Sequence, residues 1–529
     1  MIISLLFAVS AIMLFNSIMC GRILKRFSPE LNDYLSVTYG FFLFIGVSQI
    51  FFIPAIAIHN MMPRTFLYYL VGIQVFFLTL YLLNWRFSFM RVYIDWKSIL
   101  AIFLGILIIV AIFFGFKQYG GYEKNPYVTN LMEYYSQGWG ENIFNIENMT
   151  YIYLIEAVNR SFGLLFKVSN MHLVYEYAWI IVFSVIVTTG LYGMYFYQKP
   201  FMLWSLLTYI TIVMIIGVCS LVIVSTPSNG GAWILFGTML IFQVHLDNVK
   251  KVKYEIGIIN INYITLGLFC LTPSSIYIII IANICLTMLS FTFKRNNATD
   301  YNILTLFATV LSVSMYLFLY NYIIGIIFTI IILALYAIYL FIRKSKMITK
   351  AMARIDRMSN STIKIISFTV AIIILLISVF IMTISNKFDF NAAPWTISYF
   401  LNKDLTKLGS WYWIINGIWW ALNIIIVLYA LLAQFTKKLH KYIENAKLTP
   451  IILINTMTVW NPISSNLWLK IANSNSLMVQ NSFIVNLVST GINFIYYLLN
   501  KNKLSKSLII LGSTTTLATI GLILFNVLA

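Results

Sequence analysis

The feature that most constrains this chain is a series of long apolar runs separated by short polar connections. A helix needs roughly 20 apolar residues to cross about 30 Å of hydrocarbon, and sixteen runs in the sequence approach or exceed that length. They predict an all-α, polytopic integral membrane protein with about 16 transmembrane helices and short extramembrane loops. The predicted spans are 2–20, 34–58, 65–84, 98–116, 173–196, 201–225, 231–247, 256–271, 275–293, 301–319, 322–342, 365–385, 411–435, 449–466, 481–499 and 507–528.

Two of the predicted spans fit this requirement less well than the others. The run 256–271 is short, and Pro450 and Pro462 interrupt the run 449–466. Proline removes a backbone donor, and a broken helix is tolerated at membrane depth only where protein or water covers it. Either run is therefore open to interpretation as a re-entrant element.

Composition excludes a soluble protein. Of 529 residues, 61% are hydrophobic and only 10% are charged, which is too little polar material to cover a soluble surface. A transporter, a membrane-embedded enzyme or a subunit of a membrane assembly remains. The formal net charge of +19 does not indicate nucleic-acid binding, because the basic residues lie between the apolar runs.

These basic residues predict the orientation of the chain. When the connections are assigned alternately to two sides, 26 of the 35 Lys and Arg fall on one side and nine on the other. Because positively charged loops are retained in the cytoplasm, the basic side is predicted to be cytoplasmic and both termini to lie outside.

The same assignment divides the chain into five parts. They are a four-helix membrane segment (1–116), an outer loop with an interfacial amphipathic helix (117–172), central membrane helices (173–342), a basic cytoplasmic loop (343–364), and C-terminal membrane helices with a second outer loop at 386–410 (365–529).

The interfacial helix is predicted from Tyr151 to Lys167. Its polar residues recur at spacings of three and four, which forms one polar stripe on a helix, and Glu156 and Arg160 are placed to pair at i, i+4. The basic loop 343–364 holds seven basic residues and one acid. We interpret it as a solvated loop beside anionic lipid headgroups and not as a binding site.

Common catalytic and transport signatures do not occur. The sequence lacks the phosphate-binding P-loop, the dinucleotide-binding glycine pattern, the zinc motif H-E-x-x-H and the serine elbow G-x-S-x-G. The predicted spans hold no ionisable residue near their centres. Proton- or ion-coupled transport, which normally needs such residues, is therefore disfavoured.

The first outer loop holds the best candidates for chemistry. Its acids, Glu123 and Glu133 among them, lie close in sequence to Tyr127, Tyr134 and Trp139. Aromatic rings beside carboxylates suit a sugar ring or a lipid-phosphate headgroup, and a carboxylate acts as general base or as a ligand for Mg²⁺ or Mn²⁺. The same residues equally suit an interfacial aromatic belt that binds no ligand.

The order of these elements resembles the GT-C superfamily of polyprenyl-phosphate-sugar glycosyltransferases. Several spans precede a long outer loop with acids and tyrosines, and an interfacial helix and many further spans follow it. More narrowly, the chain resembles a family of uncharacterised bacterial polytopic proteins linked to cell-surface polysaccharide assembly. The stretches that carry this resemblance are 121–165, 225–242 (STPSNGGAWILFGTMLIF) and 459–476 (VWNPISSNLWLKIANSNS).

The resemblance implies a multi-pass protein of a bacterial cytoplasmic membrane that uses a polyprenyl-phosphate-linked sugar. It implies that Glu123 or Glu133 is the catalytic base or metal ligand and that Arg160 contacts phosphate. GT-C enzymes tend to carry Asp in the first large outer loop, whereas residues 117–150 contain none. The sequence therefore leaves three readings open: a glycosyltransferase, a non-catalytic transporter or flippase for a lipid-linked substrate, and an accessory subunit. The other residues expected at the substrate are Glu156, Tyr127, Tyr134 and Trp139.

Overall fold

The computed structural model describes residues 2–57, 63–83, 95–119, 171–197, 203–222, 231–250, 254–271, 297–320 and 322–358, with isolated positions between 362 and 414. Over these ranges all regular secondary structure is α-helical. The helices are α1 (Ile2–Phe27), α2 (Asp33–Ala57), α3 (Pro63–Leu83), α4 (Trp96–Tyr119), α5 (Met171–Tyr195), α6 (Leu203–Val222), α7 (Gly231–Lys250), α8 (Tyr254–Leu271), α9 (Ala298–Tyr320), α10 (Tyr322–Ile342) and α11 (Lys346–Asp356).

The structure confirms a helical membrane protein. Within the described ranges, four helical stretches are long and apolar enough to cross a membrane: Ile3–Phe27, Trp96–Phe114, Tyr177–Tyr195 and Ile323–Ile342. The short predicted span 256–271 forms α8, which packs on α2, α7 and α9. The predicted spans 275–293 and 449–466 lie outside the described residues, as does nearly all of the chain after 358.

Helix α2 lies at the centre of the described helices. It contacts α1, α3, α5, α8 and α9. Phe41, Phe42, Leu43 and Phe44 follow one another around α2, about 100° apart, and all four are buried. A helix that is apolar on every side and surrounded by other helices belongs to the core.

Small residues allow α1 and α2 to cross at close range. Ser17 and Gly21 on α1 face Ser36 and Gly40 on α2, both with the small-xxx-small spacing. A Cβ added at Gly40 would collide with the backbone of Ser17 and Gly21, and one added at Gly21 would collide with the backbone of Ser36. Between helices in lipid, such close backbone packing replaces the hydrophobic driving force of soluble proteins.

Helix α10 is the opposite case. It packs on α9, yet Ile327, Ile330 and most of its other isoleucines are exposed. Apolar side chains on this scale are stable only against lipid or another apolar surface. Hydropathy is high in both α2 and α10, so only their packing distinguishes the central helix from the peripheral one.

The predicted basic loop 343–364 contains a helix, α11. Ser345 is its N-cap, and the Ser345 hydroxyl accepts a hydrogen bond from the Ile348 N–H at 3.4 Å. A loop was predicted because the segment is rich in charged residues. The apolar residues between the lysines recur at helical spacing, but the many charges make this pattern hard to recognise. The predicted interfacial helix 151–167 lies outside the described residues.

Candidate functional site

The residues predicted to act on substrate all belong to the segment 120–170, which lies outside the described residues. The structure therefore describes where this segment begins and ends, and not its internal geometry. Its neighbours are α4, which ends at Tyr119, and α5, which begins at Met171. The residues concerned are Glu123, Tyr127, Glu133, Tyr134, Trp139, Glu156 and Arg160.

Helices α4 and α5 form an antiparallel pair that is fixed near both ends. Near one end, Ser98 Oγ in the first turn of α4 lies 2.6 Å from the Tyr192 hydroxyl in the last turn of α5. Toward the other end, the rings of Phe114 and Tyr177 stack with centroids 5.1 Å apart. The segment 120–170 thus leaves α4 and enters α5 at the same end of the pair, opposite to Ser98 and Tyr192.

The Ser98 end of the pair also holds the α1–α2 turn. The Asn32 side-chain amide donates to the Gly193 carbonyl oxygen at 2.9 Å, which joins this turn to α5. Asn32 Oδ1 accepts from the Leu35 N–H at 2.8 Å, the arrangement of a helix N-cap. The ends of α1, α2, α4 and α5 therefore meet at one end of the described helices.

Asp33 forms ion pairs with two basic side chains at this end. Arg22 Nη1 lies 3.0 Å from Asp33 Oδ1, and Lys25 Nζ contacts the same oxygen. The three side chains are only 12%, 10% and 18% exposed for Arg22, Lys25 and Asp33, so the ion pairs are largely desolvated. Sequence reasoning used Arg22 and Lys25 only as topology markers. The sequence did carry a signal for these ion pairs, because only the end of α1 and a five-residue turn separate Arg22 and Lys25 from Asp33.

A second charged group joins the ends of α8, α9 and α10. The Tyr339 hydroxyl donates to Asp300 Oδ1 at 2.6 Å, and Arg343 Nη1 lies 3.5 Å from Asp300 Oδ2. Arg343 Nη2 also lies 3.9 Å from Glu255 Oε1. A carboxylate that receives both a hydroxyl and a guanidinium is well satisfied, so the geometry fits a structural tie between helices.

Helix α11 is hydrogen-bonded to the start of α9, next to Asp300. Asp356 Oδ1 accepts from the Thr299 N–H at 2.9 Å and from the Thr299 hydroxyl at 2.6 Å. The Tyr339 hydroxyl also lies 3.6 Å from Met352 Sδ. The first amides of a helix have no partner within that helix, so the carboxylate of α11 caps α9 from outside.

Both charged groups lie toward the same end of the described helices. Trp233 of α7 packs on Phe183 of α5, and a Cβ at Gly190 of α5 would meet the Phe236 ring. Residue numbers thus increase together along α5 and α7, and α7 ends toward the Tyr192 end. His245 lies near that end of α7, and its Nδ1 shares a 2.8 Å hydrogen bond with the Tyr301 hydroxyl. Tyr301 follows Asp300 in the sequence, so the Asp300 group lies at the same end.

No family model matches the chain, and no match is found among the curated proteins or the solved structures.

Two polar side chains meet in the middle of α1 and α3. The Asn16 amide nitrogen donates to Gln74 Oε1 at 2.9 Å, and the Gln74 amide nitrogen donates to Asn16 Oδ1 at 2.6 Å. Asn16 is fully buried. Sequence reasoning passed over both residues, although each is a lone amide in the centre of an apolar run. Because each amide donates to and accepts from the other, the pair joins the two helices.

An aromatic cluster connects α2, α5 and α7. The Trp233 ring stacks on Phe41 with centroids 4.4 Å apart and meets the edges of Phe42 and Phe183. Trp233 is completely buried. Such contacts are worth about 0.5–1.5 kcal/mol per pair beyond area burial, so this cluster is packing and not a platform for a ligand.

The described residues do not supply a metal centre. Among them, no group of three or more His, Cys, Asp and Glu side chains is close enough to hold an ion. The carboxylates expected to bind Mg²⁺ or Mn²⁺, Glu123 and Glu133, lie outside the described ranges.

Proposed function

We propose that the protein is a GT-C-like membrane glycosyltransferase of cell-surface glycan assembly that takes a lipid-linked sugar donor from the outer leaflet. The proposal includes sixteen spans in a bacterial cytoplasmic membrane, with both termini outside. Its partners are the lipid bilayer and a polyprenyl-phosphate-linked sugar.

The observation that carries the proposal is the pairing of α4 with α5. Ser98–Tyr192 and Phe114–Tyr177 align the two helices, so both ends of the segment 120–170 lie opposite the charged end of the described helices. Basic residues stay on the cytoplasmic side. The segment rich in acids and tyrosines is then on the outer side, where a flipped lipid-linked sugar is presented.

The chemistry follows from the residue types in that segment. Glu123 or Glu133 takes the proton of an acceptor sugar hydroxyl as its oxygen bonds to the anomeric carbon of the donor, and the bond from that carbon to the lipid phosphate breaks. Arg160 receives the phosphate that leaves. Tyr127, Tyr134 and Trp139 hold the sugar by stacking, and Glu156 orients Arg160.

Replacement of single carboxylates by amides tests this proposal. Glu123→Gln or Glu133→Gln should lower transfer of a radiolabelled sugar from polyprenyl phosphate by about 10²–10⁴-fold, because an amide neither accepts the proton nor binds a divalent ion strongly. Glu141→Gln and Glu147→Gln are the matched controls and should transfer at the wild-type rate.

Each variant is compared at equal abundance in isolated membranes. Full transfer by all four variants would contradict the catalytic proposal. A lipid-linked sugar that crosses the bilayer at the wild-type rate without being transferred would then identify a flippase, and failure of both assays would leave the role of an accessory subunit.

A further inference from the structure

Helix α11 is held close to the membrane surface by the helix before it. The stretch Ile323–Ile342 of α10 is long and apolar enough to span a bilayer, and α11 begins at Lys346. Residues 343–345 alone separate the two helices. The four steps from Ile342 to Lys346 reach at most about 14 Å, so α11 starts within that distance of the end of the span.

The side chains of α11 form three adjacent rows. Residues four apart lie on one side of a helix, and each successive residue turns by about 100°. The first row is basic and exposed, the second is apolar and exposed, and the third is half-buried. The rows are Lys346, Lys350 and Arg354; Met347, Ala351 and Ile355; and Ile348, Met352 and Asp356.

The third row fixes how α11 is rotated. Met352 lies against the Tyr339 hydroxyl, and Asp356 is bonded twice to Thr299. These contacts hold the third row on the ends of α9 and α10. The apolar second row consequently faces away from α9 and α10 and is exposed among the described residues, with Met347 85% exposed.

We propose that α11 is a lipid-binding surface helix that lies on the cytoplasmic leaflet and binds anionic phospholipid. The second row enters the boundary between headgroups and acyl chains, and the first row contacts lipid phosphates. Phe341, 91% exposed at the end of α10, extends the apolar surface toward the span.

Charge complementarity identifies the lipid as anionic. Five exposed cations lie between 343 and 358, and the one acid of this stretch, Asp356, is turned onto Thr299. Juxtamembrane basic clusters are attracted to negative lipids, and the adjoining apolar row supplies the second anchoring signal that stable surface binding needs. The five cations are Lys344, Lys346, Lys350, Arg354 and Arg357.

A fluorophore at residue 351 tests the proposal on the full chain. Ala351→Cys is labelled after the four native cysteines are replaced, and the protein is reconstituted in equal parts of phosphatidylcholine and phosphatidylglycerol. Two samples are compared: in one, the phosphatidylcholine carries a nitroxide quencher on its acyl chain, and in the other, the phosphatidylglycerol carries it. We expect at least about fivefold stronger quenching by labelled phosphatidylglycerol. A label at Thr349, which lies outside the apolar row, should be quenched weakly by both lipids.

Two triple variants separate charge from fold. Lys346→Gln, Lys350→Gln and Arg354→Gln together should make the two lipids quench equally. Lys346→Arg, Lys350→Arg and Arg354→Lys together should keep the preference, and gel filtration checks that both remain folded. Equal quenching in the wild type, or a preference that survives the glutamine variant, would overturn the proposal.

Discussion

Asn16 and Gln74 exchange two hydrogen bonds across the contact between α1 and α3, so each amide both donates to and accepts from the other in the middle of the two helices. The pair gives two polar residues in otherwise apolar runs a structural role, because it joins α1 to α3. It also makes the contact between these helices sensitive to the loss of either partner.

We expect either Asn16→Leu or Gln74→Leu to lower the free energy of unfolding by about 1–3 kcal/mol, because the remaining amide loses its partner in a site that is buried at Asn16 and half-buried at Gln74. The double variant should recover part of this loss, with a coupling of about 0.6–1.7 kcal/mol. Unfolding of the purified protein in mixed micelles measures all three. Thr79→Val on the exposed side of α3 is the control and should be near neutral; additive single losses would disprove the coupling.

We expect Gly40→Ala to destabilise the protein by at least about 1–3 kcal/mol, because the added methyl group meets the backbone of α1, which cannot turn aside. The new Cβ would lie 2.8 Å from the Gly21 Cα, which is closer than a Cβ approaches another heavy atom in folded proteins. Gly72→Ala on α3 is the matched control, since a Cβ there meets nothing within 4 Å. It should be neutral or slightly stabilising. Thermal unfolding in detergent distinguishes them, and equal melting temperatures would show that α1 and α2 do not cross at Gly40.

We expect Asp33→Asn to cost about 1.5–3 kcal/mol, because Arg22 and Lys25 then lose their shared counter-charge in a largely buried place. Adding Lys25→Met should restore part of the stability by removing one unpaired cation. Asp95→Asn, at the half-exposed start of α4, should cost less than about 1 kcal/mol. The same unfolding assay applies, and a Lys25→Met variant that worsens Asp33→Asn would refute the charge argument.

We expect residues 344 and 136 to lie on opposite sides of the membrane. Cysteines placed at Lys344 and Ser136, in a chain without native cysteines, should react differently with a membrane-impermeant thiol reagent. In intact cells the cysteine at 136 should be labelled, and the one at 344 only after permeabilisation. If both cysteines were labelled in intact cells, one of the two loops would be assigned to the wrong side of the membrane. The predicted orientation of the helices between residues 136 and 344 would then be wrong.

Part of the fold was predictable because the bilayer imposes it. The predicted spans 34–58, 173–196 and 322–342 fall within about three residues of α2, α5 and α10. Helix α11 was predicted as a loop, because a count of charges does not reveal the apolar rows between them. The candidate site, Glu123 and Glu133 above all, remains a prediction from the sequence, since it lies outside the described residues.

The sequence by itself determined that the chain is helical and membrane-embedded, because every backbone group in hydrocarbon must be satisfied within a continuous apolar helix. Only the tertiary structure decided that, among the described helices, α2 is central and α10 peripheral. Lipid tails are as apolar as leucine, so hydropathy does not distinguish a side chain that faces lipid from one that faces another helix. Close backbone contact at Gly21 and Gly40, the Asn16–Gln74 amide pair and the ion pairs of Asp33 make that choice, and each depends on residues far apart in the chain.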